Sequence, residues 1–216
     1  MYGLIVFDLD GTLIDSRRDI ADAANALLIA CGATPLAETT IGAMVGNGAP
    51  TLVARAFAAA KLAQPPDALS RFVGLYDERL LRHTRPYPQI PRVLHALAAR
   101  TPLAVLTNKP LAPTRKILDG LDLASYFPEA RVLGGDGPWP RKPDPAGLRQ
   151  LVSSAGVQPA NTVLVGDSFI DLQTARNAGT ALCLVRYGFG FDSFLGQAVR
   201  NGDQVLDTPV DLLRLV

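Results

Sequence analysis

Short apolar segments recur along the chain and are separated by stretches with helical periodicity. These segments cover residues 4–7, 103–106, 131–133, 162–165 and 181–185. Each is almost continuously hydrophobic, without the apolar–polar alternation of a half-exposed strand, which is typical of strands that helices cover on both faces. The pattern therefore predicts an α/β core, in which helices flank a doubly wound parallel sheet.

After the first strand the pattern changes. Ala-, Leu- and Arg-rich stretches of helical period follow one another, and no strand is evident among them. We therefore expect an all-helical insert over residues 16–85 within a core formed by residues 1–15 and 86–216. Residues 14–16 would be the departing hinge, and the proline-containing segment 85–88 would be the return hinge.

Capping residues predict where the helices of the insert begin. Ser16 and Asp19 have the spacing of a capping box at the start of the first helix. Pro50 suits the first turn of another helix. Asp67 is predicted to cap a helix that continues through residues 76–83.

The composition favours a globular protein that acts on a small molecule. The 216 residues are 48% hydrophobic and 19% charged, enough for a sizeable core. The net charge is +1 without a basic stripe, so neither nucleic acid nor a membrane is expected as a partner. No signal peptide or spanning segment is evident, and Cys31 and Cys183 fit reduced structural thiols, so a cytoplasmic location is expected. Either a monomer or a homodimer would fit.

The first strand runs directly into two carboxylates, Asp8 and Asp10. Residues i and i+2 of a strand lean the same way, and Gly11 allows the backbone to turn sharply. Two crowded carboxylates repel each other unless a cation lies between them or one keeps its proton. The pair therefore predicts a chemical site, although a solvated turn is the simpler alternative.

Polar residues also follow the next two strands, and in open α/β sheets ligands bind beyond the carboxyl ends of strands. Thr107 and the backbone N–H groups of Asn108 and Lys109 could cradle phosphate oxygens. An ordinary turn with a solvated Lys109 is the alternative, and it is favoured for that motif alone. Lys142 precedes two prolines that stiffen it, and it could offset the charge of a carboxylate or a phosphoryl group.

The fourth strand ends in Gly-Asp-Ser-Phe-Ile-Asp, which places Asp167 and Asp171 one helical turn apart. Two carboxylates on one face suit a hard cation. Capping of the following helix by Asp167 or Ser168 is the alternative interpretation.

Taken together, Asp-x-Asp, Thr, Lys and Gly-Asp-x-x-x-Asp occur in an order that resembles the haloacid dehalogenase superfamily. The resemblance covers essentially the whole chain and implies a Rossmann-like core with an inserted helical cap of the C1 type. It also implies a magnesium-dependent phosphomonoester hydrolase that acts through an aspartyl-phosphate. By this resemblance, Asp8 would be the nucleophile and Asp10 the acid/base, while Thr107 and Lys142 would hold the phosphoryl group. Asp8, Asp10 and Asp167 would bind Mg²⁺, and Ser168 and Asp171 would support these metal ligands. The substrate contacts would include Gly11, Thr12 and Asn108.

A wider set of motifs narrows the resemblance to the phosphoglycolate phosphatases. These motifs are Val-Gly-Asn-Gly-Ala at residues 45–49, Leu-Thr-Asn-Lys-Pro at 106–110, Gly-Gly-Asp at 134–136 and Tyr-Gly at 187–188. The implied substrate is a very small phosphorylated metabolite, over which the cap must close. Asn47 and Arg55 are the candidate cap contacts, although a solvent-facing Arg55 is the more ordinary expectation.

Several alternatives remain at this point. A sugar-phosphate phosphatase or pyrophosphatase would differ only in what the cap admits, and a phosphomutase would use the same carboxylates. A receiver-type signalling domain is disfavoured because its phosphorylated aspartate follows a middle strand. A non-catalytic relative is disfavoured because every catalytic position is occupied. Trp139 either borders the site or, as we favour, covers the edge of the core.

Overall fold

The computed structural model describes residues 1–194, 199–200 and 202–216. The strands are β1 (Leu4–Phe7), β2 (Ile14–Asp15), β3 (Arg85–Pro86), β4 (Leu103–Leu106), β5 (Val132–Leu133), β6 (Thr162–Gly166), β7 (Ala181–Val185) and β8 (Gln204–Leu206). The α-helices are α1 (Arg17–Ala30), α2 (Glu38–Gly42), α3 (Ala49–Ala59), α4 (Ala68–Asp77), α5 (Ile90–Ala98), α6 (Leu111–Gly120), α7 (Ala146–Ser154) and α8 (Phe169–Ala178). Short 3-10 helices cover Ala124–Tyr126, Glu129–Arg131, Pro159–Asn161, Phe191–Phe194 and Pro209–Leu215.

Within the described residues, six strands form one parallel sheet in the order β5-β4-β1-β6-β7-β8. The central strand β1 shows why its sequence is apolar throughout. Ile5 and Phe7 contact one buried cluster, whereas Leu4 and Val6 contact a second cluster on the opposite face. The predicted α/β class with a doubly wound parallel sheet is therefore confirmed.

The helices α1 to α4 lie between β2 and β3, where the sequence predicts an all-helical insert. The two hinge segments pair with each other as a short antiparallel ladder, Ile14 opposite Pro86 and Asp15 opposite Arg85. This ladder was not predicted, because two residues are too few for a recognisable strand pattern. We propose that residues 16–85 form a cap domain on the core of residues 1–15 and 86–216.

Two of the predicted helix caps are wrong. The Ser16 hydroxyl donates to a carboxylate oxygen of Asp10, and buried Asp19 accepts the backbone N–H groups of His83 and Thr84, so no capping box forms at α1. The Asp67 side chain makes no cap hydrogen bond within the described chain, and α4 ends at Asp77.

All three predicted helix starts are nevertheless confirmed, because α1 begins after Ser16, Pro50 lies in the first turn of α3 and α4 begins after Asp67. The edge strand β8 was missed, because its three residues offer too short a pattern. In the described part of the chain, no helix is both long enough and apolar enough to cross a bilayer.

Candidate active site

The carboxyl ends of three adjacent parallel strands bring the predicted site residues together. Asp8 follows β1, Thr107 follows β4 and Asp167 follows β6, and β1 lies between the other two strands. The loop after β5 adds Lys142, whose Nζ lies 2.8 Å from Asp8 Oδ1. Residues far apart in sequence therefore meet at one edge of the sheet, as the alignment of parallel strands predicts.

Lys142 joins the aspartate of the first motif to the helix of the last. Its Nζ lies 2.6 Å from Asp171 Oδ1 as well as beside Asp8, and all three side chains are buried. Burial alone would lower the pKa of Lys142, but the carboxylates of Asp171 and Asp8 hold that pKa above its ordinary value. The lysine is therefore a fixed positive charge beneath the candidate nucleophile.

Asp8, Asp167 and Asp171 form a buried acidic cluster whose carboxylate oxygens lie within 4.8 Å of one another. Burial raises the pKa of Asp8 to about 6, although Lys142 opposes this effect. Burial, together with the charges of Asp171 and Asp8, raises the pKa of Asp167 well above its ordinary value. Carboxylates that resist ionisation in the bare protein are those that a bound cation would stabilise.

The oxygens of Asp171 already have partners. Asp171 Oδ1 accepts from Lys142, while Oδ2 accepts from the backbone N–H and the hydroxyl of Ser168 at the start of α8. The capping interpretation of Ser168 is thus correct for this pair. Asp8 and Asp167 remain as the carboxylates that could hold a divalent metal, and oxygen donors of this type suit a hard cation.

The backbone of two glycine-containing loops packs closely against Asp167. The N–H of Gly190 donates to Asp167 Oδ2 at 2.7 Å. Gly11 adopts φ +89°, and a Cβ there would lie 2.0 Å from the same Oδ2 atom, while a Cβ on Gly188 would lie 2.2 Å from Asp167 Cβ. Only glycine allows this close approach, and the positive φ of Gly11 fits the sharp turn that the sequence predicted there.

Asp10 has different neighbours from Asp8. Its Oδ1 accepts from the Ser16 hydroxyl, and its Oδ2 lies 3.1 Å from Nζ of Lys109. Lys109 is buried and also donates to the hydroxyl of Tyr76 on α4, at 2.7 Å. The interpretation of Lys109 as a solvated turn residue is therefore wrong. Its position after Thr107 was the only sequence signal, because Tyr76 lies 33 residues away in a cap helix.

Thr107, Asn108 and Thr12 are buried beside these charges. Thr107 Oγ1 accepts the N–H of Lys109, and Asn108 Nδ2 donates to the carbonyl oxygens of Gly46 and Lys142. Asn108 therefore links the loop that contains Gly46 to the loop that contains Lys142. Thr12 Oγ1 is buried without a hydrogen-bond partner among the described residues, which leaves this hydroxyl for a ligand.

A cavity of about 370 Å³ lies between the core and the cap helices, and Asp8, Asp10 and Lys109 line it. Among its described lining residues are Gly46 and Gly48, but not the predicted cap contacts Asn47 and Arg55. Arg55 is exposed and donates to the carbonyl oxygen of Met44, so the structure does not bring it to the cavity. Trp139 is 38% exposed and is likewise absent from the described lining, as expected for a residue at the core edge.

The site combines the buried Asp8–Lys142 pair with an acidic cluster, and Asp10 lines the cavity next to them. Such an arrangement suits the hydrolysis of anionic esters. In agreement, residues 2–179 match the haloacid dehalogenase-like hydrolase family. The chain belongs to this family, and the predictions of the superfamily and of an enzyme are confirmed.

Relatives within the family agree with the narrower resemblance. The chain is 44% identical to a phosphoglycolate phosphatase of Rhodospirillum rubrum over 95% of each protein. It is 37% identical to the phosphoglycolate phosphatase of Psychrobacter arcticus, over 92% of this chain and 87% of that one. The crystal structure of a predicted phosphoglycolate phosphatase from Haemophilus somnus has a TM-score of 0.90 at 32% identity, covering 99% of this chain and 97% of that one.

Proposed function

We propose that this protein is a magnesium-dependent phosphatase that hydrolyses 2-phosphoglycolate to glycolate and phosphate through an aspartyl-phosphate on Asp8. The observation that carries the proposal is the placement of Asp8 and Asp10 in one capped cavity, each held by its own lysine. The names of the Rhodospirillum and Psychrobacter relatives supply the substrate.

In the first half of the reaction, a carboxylate oxygen of Asp8 attacks phosphorus and the ester oxygen leaves with its electron pair. Lys142 keeps Asp8 anionic and offsets charge on the phosphoryl group. Asp10 donates its proton to the departing oxygen, which yields glycolate. Thr107, at the end of the neighbouring strand, and Thr12, whose buried hydroxyl lacks a hydrogen-bond partner among the described residues, would contact phosphoryl oxygens.

In the second half, Asp10 is anionic and can take a proton from water as that water attacks the aspartyl-phosphate. The bond between phosphorus and the Asp8 oxygen breaks, inorganic phosphate leaves and both aspartates return to their initial states. One residue thus serves as acid and then as base. Lys109 Nζ lies 3.1 Å from Asp10 Oδ2 and would pair with the carboxylate in this half.

Asp8 and Asp167 would hold Mg²⁺, with the backbone carbonyl of Asp10 as the predicted third protein ligand. The residues fit such an ion because two buried carboxylates there have raised pKa values and oxygen donors. When bound, Mg²⁺ supplies positive charge that allows an anionic carboxylate to approach an anionic phosphoryl group. Ser168 and Lys142 hold Asp171 in place behind these ligands.

A phosphate-release assay tests this function. We expect the protein to hydrolyse 2-phosphoglycolate with a higher kcat/KM than sugar phosphates or pyrophosphate, and a chelator should abolish the activity until Mg²⁺ is restored. Hydrolysis without added sugar bisphosphate would exclude a phosphomutase. A preference for a larger ester would contradict the proposed substrate, and phosphate release that resists chelation would contradict the proposed metal.

A further inference from the structure

We infer that Lys109 and Tyr76 together form a receptor for the carboxylate of the substrate and thereby determine its specificity. This inference rests on the proposed function, whose substrate carries a carboxylate next to the phosphate ester. It assigns recognition to one core residue, Lys109, which the sequence motifs placed only at a phosphate cradle or a solvated turn, and to one cap residue, Tyr76, which no motif indicated.

The charges around the cavity leave one cation for this task. The charged side chains among the described lining residues are Asp8, Asp10, Asp77 and Lys109, so Lys109 is the positive one. Lys142 is not among these lining residues and lies between Asp8 and Asp171. A substrate anion beyond the phosphoryl group would meet net negative charge in this cavity unless Lys109 contacts it.

The position of Lys109 matches the geometry of the leaving group. Asp10 must contact the ester oxygen in order to protonate it, and Lys109 Nζ lies 3.1 Å from Asp10 Oδ2. In 2-phosphoglycolate the carboxylate is attached through one methylene group to that same ester oxygen. A cation within hydrogen-bond distance of Asp10 is therefore placed where this carboxylate has to lie.

Tyr76 contributes a second hydrogen-bond donor from the cap. Its hydroxyl accepts from Lys109 at 2.7 Å, so its own proton can be directed to a carboxylate. Burial raises the pKa of Tyr76 to about 12, which keeps that proton in place at neutral pH. Its ring stacks on Phe72 with the planes 6° apart, and Lys109 Nζ lies 4.5 Å from the ring centroid. The phenol is thus fixed in orientation over the lysine.

Apart from Tyr76 and Asp77, the side chains that the cap adds to the described lining are apolar and would disfavour larger polar esters. The cavity is lined from the cap by Ile20, Leu52, Phe72 and Val73. Sugar hydroxyl groups placed against these side chains would lose hydrogen bonds to water without gaining protein partners. A short anion that ends at the Lys109–Tyr76 pair avoids this cost.

The test compares 2-phosphoglycolate with ethyl phosphate, an ester of similar length that lacks the carboxylate. Lys109→Met should lower kcat/KM for 2-phosphoglycolate about 100-fold more than for ethyl phosphate, because a charge-assisted contact is lost with the first ester only. Tyr76→Phe keeps the stacked ring and should raise KM for 2-phosphoglycolate about 10-fold, leaving ethyl phosphate within about 2-fold. Lys61→Met is the matched control, because Lys61 is exposed and is not among the described residues that line the cavity, so both esters should be unaffected.

Equal losses on both esters in Lys109→Met and in Tyr76→Phe would overturn the receptor, because Lys109 would then act only through Asp10. If Lys109→Met does not fold, the split between the two esters in Tyr76→Phe decides. A wild-type protein that is active on ethyl phosphate but not on 2-phosphoglycolate would overturn the proposed substrate as well. The two failures are therefore distinguishable.

Discussion

The two buried lysines of the site hold the two aspartates that we propose as catalytic, Asp8 and Asp10, in different ways. Lys142 and its partners Asp8 and Asp171 all belong to the core region. Lys109 pairs with Asp10 of the core but also with Tyr76 of a cap helix. The first arrangement is complete without the cap, whereas the second requires it. We infer that the core supplies phosphoryl chemistry for any ester and that the junction with the cap selects the ester.

Removal of the nucleophile should have the largest effect. We expect Asp8→Asn to abolish turnover of every ester, a loss of at least about 10⁴-fold, because an amide cannot form the acyl phosphate. Asp10→Asn should slow both halves severely without unfolding the protein. Phosphate release and circular dichroism would measure the two effects. The exposed Asp119→Asn is the control, and near-normal rates in Asp8→Asn would contradict the mechanism.

Lys142→Met tests whether Lys142 and Lys109 have different roles. This variant should lose about 10³-fold in kcat on 2-phosphoglycolate and on ethyl phosphate alike, in contrast to the selective loss expected for Lys109→Met. It should also lower the free energy of unfolding by about 3 kcal/mol, because Asp8 and Asp171 stay buried without their cation. Steady-state kinetics and urea denaturation test both statements. A loss confined to one ester would erase the proposed distinction.

Gly11→Ala tests the packing of backbone against Asp167. The new Cβ would overlap Asp167 Oδ2, so the carboxylate must move and Mg²⁺ should bind about 10- to 100-fold more weakly. Gly32→Ala is a matched control, since Gly32 also has a positive φ, +86°, but no other group of the described residues lies within 4 Å of the position that a Cβ would take. That control should lose about 1 kcal/mol of stability from backbone strain alone. Equal Mg²⁺ affinity in the two variants, measured by calorimetry, would show that Asp167 does not hold the ion.

The pH dependence of metal binding should give the smallest effect. The folded protein raises the pKa of Asp8 from 3.8 to about 6, so the metal-free fold is favoured below pH 4 and loses that contribution as the pH rises through 6. Binding of Mg²⁺ requires the ionised form. Added Mg²⁺ should therefore raise the melting temperature by several degrees at pH 7.5 and by little at pH 5. Equal shifts at both pH values would contradict this linkage.

The sequence predicted the core half of the site better than the cap half, for a physical reason. Asp8, Thr107 and Asp167 each follow a buried strand, and the carboxyl ends of parallel strands share one edge, so their meeting follows from local patterns. The contact of Lys109 with Tyr76 depends on how the cap packs, which no local pattern encodes. Sequence reasoning instead selected Arg55, which is exposed.

Tertiary contacts also explain why the predicted capping box of α1 does not form, although the helix begins where it was predicted. Asp19 has capping-box spacing, but it is buried and accepts hydrogen bonds from Thr84 across the insert. A local motif was thus overridden by a contact 65 residues away. Gln89 adopts φ +71° at the start of α5, a left-handed conformation that glycine would adopt without strain.

Peptide mapping of an acid-quenched reaction directly tests whether Asp8 carries the phosphoryl group during turnover. In Asp10→Asn, 4-nitrophenyl phosphate can still react with Asp8 because its leaving group needs no proton, whereas hydrolysis of the intermediate is slowed. Incubation with this ester and Mg²⁺ should therefore leave a phosphoryl group on the peptide that contains Asp8. Borohydride reduction before digestion would convert an acyl phosphate at that position into homoserine and locate it. We expect homoserine at position 8 and no phosphoryl group or homoserine at that position in Asp8→Asn. Phosphate release by the wild-type protein with no label at Asp8, or with the label on another residue, would contradict it.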